Sequence, residues 1–111
     1  MEKLIRSVDK VILEELTRDI SKHGSVNHSD YESYAFILEA LEDGADEVGG
    51  ANKAAQDFWR FAKCQGADER KLKILDNLQA KAWLAACAFI QVAAMARKAT
   101  MTIEHKEEEK Q

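Results

Sequence analysis

A chain of 111 residues supports one modest hydrophobic core and little more. With 46% hydrophobic and 32% charged residues it has the balance of a folded protein, which excludes a disordered polymer. A net charge of −4 argues against a general nucleic-acid binder, which needs a basic face to displace counterions, and the absence of proline favours helix throughout.

The first predicted helix covers 2–22. Leu4, Ile5, Val8, Val11, Ile12, Leu16 and Ile20 recur every three or four positions and make one apolar stripe. His23-Gly24 supplies the stop, with glycine suited to the left-handed position that follows a helix. His23 is read as a favourable cation near the helix C-terminus rather than as a ligand.

Ser29 is a predicted N-cap, with Glu32 three residues on completing a capping box. The second helix is expected over 30–48 and ends at Gly49-Gly50. Gly44 inside it points to close packing or a bend. Asn52 caps a third, shorter helix through residue 63, with Ala55, Phe58, Trp59 and Ala62 as its apolar side. Gln65-Gly66-Ala67 is the next break. A long last helix opens at Asp68, carries Leu72, Leu75 and Leu78, and turns almost wholly apolar from Ala82 to Ala96.

A stretch apolar on all sides must be covered on all sides, so a second copy of the chain is expected to cover part of it. At 15 residues, the 82–96 run is shorter than the roughly 20 residues of a membrane span, so no membrane partner is expected. No cationic start followed by an apolar run marks a signal peptide. Cys64 and Cys87 lack metal-type spacing, and Cys87 reads as a buried small hydrophobe. A cytoplasmic setting follows. The expected architecture is all-α, a four-helix bundle in one domain over 1–103 completed by oligomerisation as a dimer or tetramer, with a charged flexible tail over 104–111.

The chemistry concentrates in the second helix. At about 100° per residue, Glu39, Glu42, Asp43 and Asp46 share one face, while Tyr34, Ile37, Leu38, Leu41, Ala45 and Val48 fall on the other. A stack of carboxylates can hold a hard divalent cation, and such a cation receives phosphate oxygens. The alternative is that these acids are the wet side of an amphipathic helix. Trp59, Trp83, Phe36 and Tyr34 can stack on a nucleobase, though core packing is the ordinary role of such residues. Phe36 differs in projecting near the acidic face. No Gly-rich phosphate loop, nucleophile elbow or zinc spacing is present.

Residues 23–42 read His-Gly-Ser-Val-Asn-His-Ser-Asp-Tyr-Glu-Ser-Tyr-Ala-Phe-Ile-Leu-Glu-Ala-Leu-Glu, and residues 91–97 read Gln-Val-Ala-Ala-Met-Ala-Arg. Together the two stretches resemble the small MazG-like proteins, all-α nucleoside triphosphate pyrophosphohydrolases, over about a quarter of the chain. The resemblance implies Mg²⁺-dependent hydrolysis of a nucleoside triphosphate to the monophosphate and pyrophosphate. Glu39 and Glu42 match the first Glu-x-x-Glu metal pair, and Asp43 and Asp46 stand ready to assist.

The chain departs from the pattern at the second metal pair, which the family carries as Glu-x-x-Asp on the later helix. The matching positions here are Leu84 and Cys87, or Ala88 if Gln91 sets the alignment. Asp57, Asp76 or Asp46 can supply a missing charge; Gln91 offers only a neutral amide oxygen, or serves as a buried amide bridging helices. The competing expectation is therefore a non-catalytic helical binding or assembly protein on the same scaffold.

Overall fold

The computed structural model describes residues 1–110 as three α-helices joined by short connections, with no strand among them. Helix α1 is Glu2–His23, α2 is Asp30–Lys63 and α3 is Asp68–Glu109. The all-α expectation holds, but the count is three helices, not four. The two middle helices are one, because Gly49 and Gly50 keep helical backbone; Gly24 is the glycine with positive φ. Glycine costs roughly 1 kcal/mol inside a helix against alanine, too little alone to break one that is packed. The packing at Gly50 is visible. A Cβ there would meet the Lys81 side chain at 3.0 Å, and Lys81 Nζ lies 3.4 Å from Glu47 Oε2, one turn back along α2. Lys81 thus lies across one turn of α2 at the spot where glycine leaves room for it.

The true stop comes later. The Gly66 N–H donates to the Phe61 carbonyl at 2.7 Å and the Gln65 N–H to the Ala62 carbonyl at 3.2 Å, the paired bonds of a Schellman ending. Gln65, not Gly66, takes the left-handed conformation, with φ 55°. Gly66 serves a different need, since a Cβ there would sit 2.8 Å from Phe61 Cδ1. At the end of α1, Gly24 adopts φ 86° and ψ 170°, a region essentially reserved for glycine, and its N–H bonds the Ile20 carbonyl at 2.8 Å.

The chain forms two compact units. The first comprises Met1–Leu41 and the chain from Phe89 onward; the second is Glu42–Ala88. In the first, Leu16, Ala94 and Met95 form the buried core, with Ile12, Ile20, Ile37 and Met101 packed against it. The C-terminal half of the α1 stripe therefore points inward as its spacing predicts, while Leu4 and Ile5 in the N-terminal half are exposed. Polar bridges tie α1 to α3: Asp9 to Arg97, Glu15 to Gln91 and Asp19 to Lys98.

In the second unit Ala54 and Ala85 are buried, whereas Trp59, Leu72, Trp83 and Leu84 are exposed. Cys87 is exposed too, contrary to the buried role expected of it. Within the second unit the apolar run buries only Ala85 and leaves Trp83 and Leu84 uncovered. It also extends further than the 82–96 count suggests: α3 holds an 18-residue window of mean hydropathy 1.4, apolar enough by length and composition to cross a membrane. The charged segment from Glu104 continues as helix to Glu109.

Candidate functional site

All four predicted metal residues lie on α2 and all are exposed: Glu39 in the first unit, and Glu42, Asp43 and Asp46 in the second. Among the described residues none of them makes an ion pair or a side-chain hydrogen bond. Acids on α1 contrast with this, since Glu2, Asp9, Glu15 and Asp19 are each paired with a cation. Glu42 and Asp46 stand at the i,i+4 spacing, and Asp43 and Asp46 at i,i+3, so like charges adjoin along one helix surface and repel. No group of three or more His, Cys, Asp or Glu side chains among the described residues is arranged to enclose a metal ion. What α2 supplies is a row of free carboxylates open to solvent, not a formed cage.

Nor does the second unit add a further acid to that row. Asp57 bonds Arg60 at 3.0 Å, Asp76 is exposed on α3, and Glu47 is drawn to Lys81. The Glu47–Lys81 contact is Coulombic, since Glu47 Oε2 is buried without a partner in hydrogen-bond geometry. Gln91 has the structural role open to it: its amide donates to the Glu15 carboxylate and bridges α3 to α1. Arg18 holds the same glutamate from the solvent side.

A second place of chemical interest lies within the first unit, and sequence reasoning found only its rim. A cavity of about 290 Å³ opens where the end of α1, the connection to α2 and the last third of α3 meet. Lys98 and Asn27 form its buried part, at 2% and 5% exposure. Lys98 Nζ reaches Asp19 Oδ2 at 2.5 Å. Asn27 donates its backbone N–H to Thr102 Oγ1 at 2.9 Å and its amide Nδ2 to Ser33 Oγ at 2.8 Å. Thr102 in turn donates to the Lys98 carbonyl at 2.9 Å. Buried Asn27, Ser33, Lys98 and Thr102 thus form one polar network, with a single side-chain atom left over: Asn27 Oδ1, which is buried and has no partner.

The rim is His23, His28, Glu32 and Phe36. Ser29 caps α2 as expected, its Oγ accepting the Glu32 N–H at 3.1 Å. The reciprocal half of the capping box is displaced by one residue, because the Glu32 carboxylate turns to His28 and accepts from its backbone N–H at 3.3 Å and its Nδ1 at 3.0 Å. The His28 side-chain bond, helped by the backbone one, holds the Glu32 carboxyl below the usual carboxylate range. Phe36 keeps its ring at the mouth, 42% exposed. Lys98 and Asn27 gave no signal in the sequence: a lysine after an arginine near the end of a helix, and an asparagine in a connecting loop, look solvated until the burial of both is seen.

Comparison with known proteins adds no assignment: no family model, curated protein or solved structure matches this chain.

Proposed function

We propose that this chain is a MazG-like nucleoside triphosphate pyrophosphohydrolase, Mg²⁺-dependent and homo-oligomeric, releasing a nucleoside monophosphate and pyrophosphate. The observation that carries the reading is the row of unpaired carboxylates on α2, together with the motif resemblance around it. Glu39 and Glu42 hold Mg²⁺, Asp43 or Asp46 supports them, and water is the nucleophile. A bound Mg²⁺ would be held by these carboxylates against their mutual repulsion and would supply charge stabilisation for the triphosphate. With no carboxylate on α3 between Asp76 and Arg97, the metal is held more weakly than by two full pairs, and turnover is correspondingly impaired.

A second reading has its own observation. Leu72, Trp83 and Leu84 stand uncovered on α3 in the second unit, a pattern suited to a non-catalytic assembly protein that buries them against another chain. Calorimetric titration with Mg²⁺, with and without nucleoside triphosphates, separates the two when pyrophosphate is assayed in the same samples. Binding with release that Glu39→Ala abolishes supports the enzyme. Silence in both, from a chain that sediments as an oligomer, supports the assembly protein.

A further inference from the structure

We infer that α3 in the second unit is one half of an obligate homodimer seam. The Trp83 ring of each copy seats in a hole on the other, and neither copy is stable alone. The inference rests on the homo-oligomeric part of the reading above and is independent of the metal.

The chain exposes 8303 Å², whereas a compact monomer of 12.5 kDa exposes about 6,200 Å². The excess of about 2,000 Å² matches what an obligate dimer covers, roughly 1,000–2,500 Å² on each partner. The two cores show where cover is missing. The first unit encloses Leu16 and Met95, but the second, Glu42–Ala88, buries no apolar side chain larger than alanine. A helical segment of that size, with no large side chain buried, does not offset its own chain entropy.

The seam has a shape. Gln79, Ala82, Trp83 and Ala86 stand at i, i+3, i+4 and i+7 and line a cavity of about 280 Å³. Four residues at that spacing make the hole that takes one knob of a facing helix. The knob stands on the same face, since Trp83 is 75% exposed. A face that carries both knob and hole fits a copy of itself, as a twofold pairing requires.

Charge agrees with this occupant. From Asn77 to Ala88 the helix has one charged residue, Lys81, and Glu47 of α2 draws it in. Two such faces meet without like-charge repulsion, and a strongly charged partner finds nothing to pair with. A lipid surface is the other apolar occupant, but the unpaired Glu42, Asp43 and Asp46 of the same unit repel anionic headgroups.

The full chain in Mg²⁺-free buffer is sedimented over a range of concentrations, and its thermal midpoint is followed over the same range. A dimer is expected, its midpoint falling by roughly 5–10 °C on hundredfold dilution. Trp59→Phe leaves Trp83 as the sole tryptophan, whose emission should lie at short wavelength and move to the red as the dimer dissociates. Ala86→Glu sets a charge in the hole and should weaken association a hundredfold or more. Leu4→Glu, on the exposed stripe of α1, should leave association unchanged. If Ala86→Glu fails to fold, the dilution series and the Trp83 emission still decide. A monomer at every concentration, a midpoint independent of dilution, or a dimer with water-exposed Trp83 emission overturns the proposal. So does a dimer broken by Leu4→Glu and not by Ala86→Glu, or a monomer that sediments with phosphatidylcholine vesicles, which would give the face to a bilayer. Pyrophosphate release by a monomer would remove this seam and leave hydrolysis standing; a tight dimer without Mg²⁺-dependent release would do the reverse.

Discussion

Thr102 Oγ1 accepts the backbone N–H of Asn27 at 2.9 Å while passing its own proton to the Lys98 carbonyl, joining the α1–α2 connection to α3 through one hydroxyl that is 1% exposed. Thr102→Val preserves shape and removes the acceptor, stranding a buried N–H. Destabilisation of about 1–3 kcal/mol is expected by chemical denaturation. Thr102→Ser keeps the bond and should lose less than half of that.

Lys98 and Asp19 form a pair in which the cation is the more deeply buried partner, with side-chain exposures of 3% and 20%. Removing the anion leaves a charge stranded inside, whereas removing the lysine leaves a carboxylate that water can reach. Asp19→Ala is therefore expected to cost about 3 kcal/mol, and Lys98→Met clearly less. Urea unfolding of both variants under one condition orders them, and equal losses would contradict the asymmetry.

The contact between His28 and Glu32 predicts a pH dependence. A carboxyl whose pKa is lower folded than unfolded contributes stability that is present above the unfolded value and is lost as pH falls through the folded value. Glu32 is such a group, lowered first by the His28 side chain. In His28→Ala the Glu32 titration midpoint, followed by carboxyl ¹³C shifts, should move upward. The stability difference between wild type and variant should shrink on acidification as Glu32 protonates.

At the end of α2 the left-handed position is filled by Gln65, and the glycine stands one place later. Gln65→Gly removes a Cβ strain of about 1 kcal/mol and should raise the thermal midpoint. Gly66→Ala should lower it, since the new methyl would sit 2.8 Å from the Phe61 ring. If the two substitutions acted in the same direction, this assignment of roles would fail.

That exchange also shows where the sequence speaks and where it does not. Helix starts were legible because Ser29 and Asp68 are local signals, and the inward face of α1 was legible because Ile12, Leu16 and Ile20 obey one period. Gly49-Gly50 read as a stop because propensity is local, whereas the contact that keeps the helix running there, Lys81 over Gly50, comes from 31 residues away. The same holds for the candidate sites. The carboxylate row on α2 follows from spacing alone, while the cavity depends on Asp19, Asn27 and Lys98 meeting across three elements. Trp59 and Trp83, given core roles by their spacing, are exposed because the second unit, where both lie, buries only small residues such as Ala54 and Ala85.

The adjacent glycines carry one more consequence. Two such residues forfeit about 2 kcal/mol of helix propensity at the centre of a 34-residue helix, roughly a thirtyfold rise in the population of a locally opened turn. Helices ordinarily breathe from their ends, but α2 is capped by Ser29 at one end and by the Schellman bonds at the other. Its amide protons around residues 49–53 should therefore exchange with solvent faster than those on either side, making the middle of the longest-looking strut in the second unit the point where it first yields.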